Sequence, residues 1–443
     1  MARVPWSCIG LCVVSYTMVH MSCQVITCSL PFLLHDEDFK EPWTTSDCGA
    51  VIGFASLAAA LGYAVHGPCI DRWGVVYGWS VALGGCAVGL FLLATAETQV
   101  QFGLGAGALR FAYAAGWPAE MKALKLLVPE EHQGMAVSSL GFASRGGAIL
   151  GRCLFAALSA WVSWRDIAKQ ASWILCLGGG GIILGITGHI AKAKPPSKAL
   201  QKKPQLSLVL QEPAVWLLTA AFCCLCHVQH GDDFMPLLFK GLTRSSQSVT
   251  WSAVYPGGGI AAMLLNAWKG HLLSRWQRER LYVAACVASS ACFFLLVLLG
   301  SNEDSESSTT SVAILLFIAA FCCAIPYYLV PNFFAFDLMG TNCATLVSFF
   351  ELSSFCSKTP AHMLLLRLAE TSWSLALLQM AVTMLCAGIL IQLLLPRWRS
   401  LVKQPRPGGI SPLTDSPPMD PGSPPSGVSD FDLDVAEYAA LRK

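Results

Sequence analysis

The sequence predicts an all-α membrane protein with twelve membrane-spanning helices arranged in two sets of six. Three observations lead there. Of the 443 residues, 54% are hydrophobic and only 13% charged, whereas a soluble chain carries about 25% charged residues. Apolar stretches of about 20 residues, enough to cross a hydrocarbon core of about 30 Å at ~1.5 Å per residue, recur twelve times. Lys and Arg are concentrated in alternate loops, the asymmetry that orients a polytopic chain.

In order, the spans are predicted at about 6–33, 47–67, 75–95, 100–119, 135–160, 170–191, 213–238, 248–268, 281–300, 311–331, 342–363 and 373–395. The first apolar run continues well past the short core of a cleavable signal, so it is expected to be a permanent helix. A basic connector at 192–212 with five lysines divides the chain into a six-helix half at 1–191 and a second at 213–396. From 397 to 443 the composition turns to Pro, Ser, Gly and Asp, which cannot bury a core, and a disordered tail is expected. With the N-terminus inside, about 19 of the 29 Lys and Arg fall on the cytoplasmic side, and outer loops such as HDEDFKE (35–41) and SNEDSES (301–307) are acidic. Both termini are therefore expected in the cytoplasm. One loop dissents: the turn after the tenth span holds Asp337 and neither Lys nor Arg.

Composition also excludes several classes. A net charge of +2, with no basic run interleaved with aromatics, argues against nucleic acid as a partner. Most of the 19 cysteines sit inside apolar runs (Cys223, Cys224, Cys322, Cys323), where they act as small hydrophobes, so neither a metal site nor a disulfide scaffold is predicted. No nucleophile elbow, HExxH or paired-carboxylate motif supports an enzyme, and no cofactor is implied.

The chemistry lies in ionisable residues at membrane depth, each of which costs roughly 2.5–3.5 kcal/mol at a helix centre and so faces a cavity, a partner or a pathway. Arg110 falls on the fourth span, and Arg145 and Arg152, seven residues apart and on one helix face, on the fifth. Three guanidiniums on neighbouring spans point to an anion, with Arg145 close to mid-depth. The bland alternative is a buried ion pair between Arg145 and Glu351, which shares the eleventh span with Lys358. On the seventh span His227 and His230, three apart, could carry a proton, joined by Asp233 and by Glu351 as coupling candidates.

Between the second and third spans GPCIDRWG, with Gly67, Asp71, Arg72 and Gly74, fits the G-x-x-x-D-R-x-G signature of the major facilitator superfamily. The resemblance implies that superfamily's fold and a gating role for these four residues. Val75, Val76 and Tyr77 follow where the family usually has a further basic residue, and the equivalent loop GHLLSRWQRER (270–280) lacks the acidic–basic pair. Within the superfamily, GWP (116–118), EEHQG (130–134), SRGGAILG (144–151), HGDDFMPLLF (230–239) and YPGGGIAAML (255–264) resemble the organophosphate:phosphate antiporters, the glycerol-3-phosphate and sugar-phosphate exchangers. Members of that family bind phosphate with arginines on the first and seventh spans. Here the first span offers His20, and the seventh offers His227 and His230.

The expected function is secondary active transport of a small organic anion, a phosphate ester or carboxylate, by alternating access. Arg145, Arg110, His20, His227 and Arg152 are the expected substrate ligands. The alternatives are a proton-coupled transporter of another small solute, or a non-transporting receptor or sensor on the same scaffold. The lipid bilayer is the expected surrounding, in a plasma or internal membrane. Ser411, Ser416 and Ser423 precede prolines, and YAAL (438–441) fits a tyrosine-based sorting signal, so a kinase or sorting adaptor could engage the tail.

Overall fold

The computed structural model describes residues 6–33, 36, 39, 42–43, 45–192, 206–233, 235–243, 251, 253–300 and 309–403. Most of the basic connector and the tail expectations at 411–441 lie outside the described residues. Twelve helical spans follow one another: α1 (Trp6–Leu33), α2 (Thr45–Trp73), α3 (Val75–Ala94), α4 in two segments (Gln99–Tyr113 and Gly116–Leu127), α5 (Glu130–Leu158), α6 (Trp164–Lys192), α7 in two segments (Pro213–Gln229 and Met235–Thr243), α8 (Val254–Lys269), α9 (Arg275–Gly300), α10 (Thr309–Met339), α11 (Cys343–Thr371) and α12 (Trp373–Lys403). Among the described residues, seven stretches are long and apolar enough by themselves to cross a membrane, one of them running through α10 and α11. The remaining spans, α4, α5, α7 and α8, are broken, short or polar. Three of these four contribute side chains to the central cavity described below.

The breaks have local causes. Pro118 lies in the first turn of the second α4 segment, where its missing N–H is not needed, while its ring excludes a continuous helix through Ala114. At the other end of α4, Thr98 caps the helix by accepting from the Gln101 N–H at 3.2 Å. In α7 the first segment stops at Gln229, and His230–Asp233 form one tight 3₁₀ turn. That stop leaves carbonyls to be satisfied in mid-membrane. The Tyr255 hydroxyl donates to Val228 O at 2.6 Å, and His230 Nδ1 bonds Cys226 O at 3.0 Å.

Most spans present an exposed apolar face. Val88 and Phe91 on α3, Leu177 and Leu184 on α6, and Leu385 and Leu393 on α12 are all exposed, as lipid-facing residues are. The core is apolar and close-packed, and small residues let helices meet. A Cβ on Gly89 would lie 2.6 Å from the Leu109 backbone, so α3 and α4 touch main chain to main chain there.

The fourth span runs farther than the expected 100–119. Its second segment reaches Leu127, so Glu120 and Lys122 lie inside the bundle rather than in a loop. Tertiary packing overrides the three charges of EMKALK, because each one reaches a polar group or solvent at the helix-bundle end.

Candidate functional site

The site divides into a latch at one face of the bundle and a cavity open toward the other. The latch is built on the loop between α2 and α3. Gly74 takes φ +91°, a left-handed conformation that only glycine adopts without strain, and this turns the chain from α2 into α3. Gly67 permits close approach: a Cβ there would lie 2.5 Å from Ser348 Oγ and 3.0 Å from Ala344 O on α11. Between them, Asp71 accepts from Lys122 Nζ at 3.0 Å, and its other oxygen accepts from the Thr345 N–H at 2.8 Å and the Thr345 hydroxyl at 2.5 Å. Thr345 lies in the first turn of α11, where the helix dipole favours an anion. Arg72, by contrast, is exposed and makes no ion pair among the described residues. The cation that completes the latch is Lys122 on α4, in place of the basic residue missing after Gly74. On the same face Asn266 on α8 donates to Ser138 on α5, and a Cβ on Gly141 of α5 would lie 2.9 Å from Met263 Sδ on α8. These contacts tie the first six spans to the last six and close that end.

Beyond the latch lies a cavity of about 320 Å³. Its floor is aromatic: Tyr16 meets Trp117 at 5.3 Å between ring centroids, and Trp117 meets Tyr328 at 6.0 Å, edge to face. Its walls widen toward the ends of α1, α2, α5 and α11 remote from the latch, where Thr27, Ile52, Arg152 and Lys358 line it. Arg152 and Ile52 are exposed, which marks the mouth.

Arg145, 8% exposed, sits in the wall on α5. Its Nε donates to the Tyr328 hydroxyl at 3.0 Å, and Nη2 donates to Gln229 O at 3.3 Å. The second bond answers the open carbonyl end of the broken α7, so Arg145 also joins the two sets of six spans. The alternative ion pair with Glu351 does not form. Glu351 lines the same cavity from α11, 8% exposed, with no hydrogen bond or ion pair to its carboxyl group among the described residues. Arg110 lies over the Tyr113 ring at 5.5 Å, and Arg152 donates to Gln24 Oε1 at 2.9 Å. His20 shares a 3.3 Å hydrogen bond with the Tyr113 hydroxyl and stacks edge to face on Tyr16.

The two histidines of the seventh span part company. His230 falls in the 3₁₀ turn and lines the cavity. His227 still belongs to the helix and does not line it. Its Nε2 faces Gln379 on α12, and its ring lies 5.1 Å from that of His362. The stop at Gln229 thus separates the two, and His227, expected as a substrate ligand, lies outside the lining of the cavity. The Asp233 side chain lies outside the described residues.

Several groups escape a reading of the sequence. Glu120 is buried between α1, α3 and α4, accepting from the Ser15 hydroxyl at 2.5 Å and Trp79 Nε1 at 2.8 Å. Lys122 of the latch and Tyr328 of the floor are two more. For Glu120 and Lys122 a signal existed: a span ending at 119 leaves ten residues before the Pro129–Glu130 helix start, a long connection between packed neighbours.

A bundle of twelve spans closed at one face, with a polar cavity at mid-depth flanked by interrupted helices, has the architecture of a secondary transporter. The sequence matches the Major Facilitator Superfamily model over residues 12–357, and the chain belongs to that superfamily. Its members are transporters rather than enzymes, integral to a membrane and working by alternating access. Among solved structures, the proton:xylose symporter XylE bound to 6-bromo-6-deoxy-D-glucose superposes with a TM-score of 0.66 at 12% identity, over 89% of this chain and 95% of that one. The transporter FucP in the outward conformation gives 0.64 at 12% identity, over 87% and 98%. A variant of the E. coli fucose:proton symporter FucP gives 0.62 at 11% identity, over 87% and 98%. At such identities the likeness is one of fold. No curated protein sequence matches.

Proposed function

We propose that this protein carries a small organic anion, a phosphate ester or carboxylate, across a membrane, with the latched face cytoplasmic and the cavity open outward. One observation carries the reading: the described cavity lining holds Arg110, Arg145, Arg152 and Lys358 against a single carboxyl, Glu351. Low-dielectric walls bearing one sign of charge concentrate the field in the cavity and attract an anion. Arg145 is the central ligand, because its planar fork of donors suits a carboxylate or phosphate oxygen pair. Arg110 and His20 sit beside it on the wall of α1 and α4, and Arg152 guards the mouth. Rocking of the halves would break the latch at Asp71 and pass the anion inward, with His230 placed to sense or carry a proton.

Uptake of labelled phosphate esters and carboxylates by proteoliposomes tests this. Anion uptake lost in Arg145→Ala supports it, and equal uptake of neutral solutes by both proteins contradicts it. A second reading, proton-coupled transport of a neutral sugar, draws on the polar groups Gln24 and Asn332 beside Trp117 in the same cavity. XylE and FucP are described as proton:xylose and fucose:proton symporters. Labelled xylose and fucose in the same assay decide between the two.

A further inference from the structure

We infer that the transported anion also bears a positive group, and that Glu351 receives it: the substrate is a small zwitterion, a carboxylate with an ammonium nearby, of the kind an amino acid presents. This rests on the organic-anion reading above and narrows it.

The starting observation is a carboxyl group that the protein leaves unanswered. Glu351 is 8% exposed and faces the cavity, and its carboxyl group accepts no hydrogen bond and forms no ion pair among the described residues. Buried carboxylates are ordinarily paired, because removing the charge from water is expensive. Here cations line the same cavity, and Arg145 nevertheless directs donors to Tyr328 and to the end of α7. A buried carboxylate held apart from the guanidiniums that line the same cavity is matched to a cation from elsewhere.

The surroundings of Glu351 fit an ammonium. Phe355 lies one turn farther along α11 and therefore on the same helix face. Tyr63 on α2 packs against Phe355 at 5.5 Å between centroids, and Tyr327 lines the cavity close by, its ring 5.9 Å from that of His230. A carboxylate beside aromatic faces is the arrangement that binds organic cations, since ring quadrupoles add to the ion pair. Arg145 on α5 and Glu351 on α11 come from opposite sets of six spans. A ligand with both charges would bridge the halves, whereas one lacking the ammonium would leave the Glu351 carboxyl unanswered and one lacking the carboxylate would engage only the α11 side. The volume of about 320 Å³ is at the small end of ligand pockets, suited to a compact molecule.

The test uses the full-length protein in lipid nanodiscs, with binding measured by thermal shift and calorimetry. The probes are two isosteric trios: alanine, propionate and ethylamine, and phenylalanine, 3-phenylpropionate and 2-phenylethylamine. In at least one trio the zwitterion binds about tenfold or more tighter than either truncated partner, as one charge-assisted contact implies. Glu351→Gln removes that advantage and brings the zwitterion down to the affinity of the carboxylate, whose own binding does not weaken. Glu351→Asp keeps the preference at reduced strength and serves if the glutamine variant does not fold. Carboxylates that bind as well as their zwitterions overturn the inference while leaving anion transport standing. So does a Glu351→Gln variant that weakens both alike, or that alters only the pH dependence, which would make Glu351 a proton carrier. If none of the six probes binds, the inference is overturned, and the uptake of labelled phosphate esters and carboxylates described above decides the organic-anion reading separately.

Discussion

Asp71→Asn offers a direct test of how the closed face is held. The carboxylate makes two kinds of contact. Its bond to Lys122 at 3.0 Å lies within the first six spans, so it supports folding in either transport state. Its bonds to the Thr345 N–H and hydroxyl, at 2.8 and 2.5 Å, cross between the halves and exist only while that face is shut. Each hydrogen bond to a charged acceptor contributes about 1.5–3 kcal/mol, and the N-terminus of α11 adds up to about 1 kcal/mol for an anion. Asparagine keeps one neutral acceptor, and water replaces part of the rest on opening. The net loss to the closed state is then about 2 kcal/mol, a shift of roughly 30-fold toward the state open on that face. Labels introduced as unnatural amino acids at Trp73 and Leu272, both exposed and near that face in opposite halves, report the change by single-molecule energy transfer. Thr345→Val, which keeps the N–H, should give about half the shift, and Lys122→Met should lower thermal stability more than it moves the distance. An unchanged distance distribution in Asp71→Asn, or an equal shift in Lys122→Met, would refute the division between latch and fold.

Other changes have equally definite outcomes. Gly67→Val places a side chain into Ser348 and should open the same face, read with the same labels. Arg145→Lys keeps the charge but not the fork, and is expected to cut anion uptake at least tenfold at normal expression. Arg145→Ala abolishes uptake and also lowers thermal stability by about 2–4 kcal/mol, because Gln229 O and Tyr328 lose their donor; Glu351→Ala in addition does not rescue it, since the two never pair. If transport depends on pH through His230, His230→Gln removes that dependence. His227→Gln, facing Gln379 and His362, leaves it intact, and proteoliposome uptake across a pH series measures both.

How much of this was legible in the sequence depends on how local each cause is. The apolar spans followed from length, because a bilayer demands about 20 residues per helix whatever their neighbours are; the broken or polar spans α4, α5, α7 and α8 followed from the count of six per half and from the alternation of basic loops. The turn at Gly67–Gly74 was equally legible, since a glycine at positive φ and a glycine at a helix crossing are written into one octapeptide. Placing arginines at membrane depth pointed to a cavity, because charge there has few other reasons to exist. What the sequence could not decide was which groups face each other. His227 and His230 look equivalent at three residues' spacing, and only the break at Gln229 sends one to the cavity and the other to α12. Arg145 and Glu351 look like partners by charge, yet the open carbonyl of α7 and the Tyr328 hydroxyl take up the guanidinium's donors and leave the carboxyl unanswered. Lys122 looks like a loop residue, and only the docking of α4 beside α2 makes it the cation of the latch. Membrane insertion is a property of segments and is read from the chain; pairing among buried charges depends on distances of a few ångströms between distant segments, and those exist only after the helices have packed.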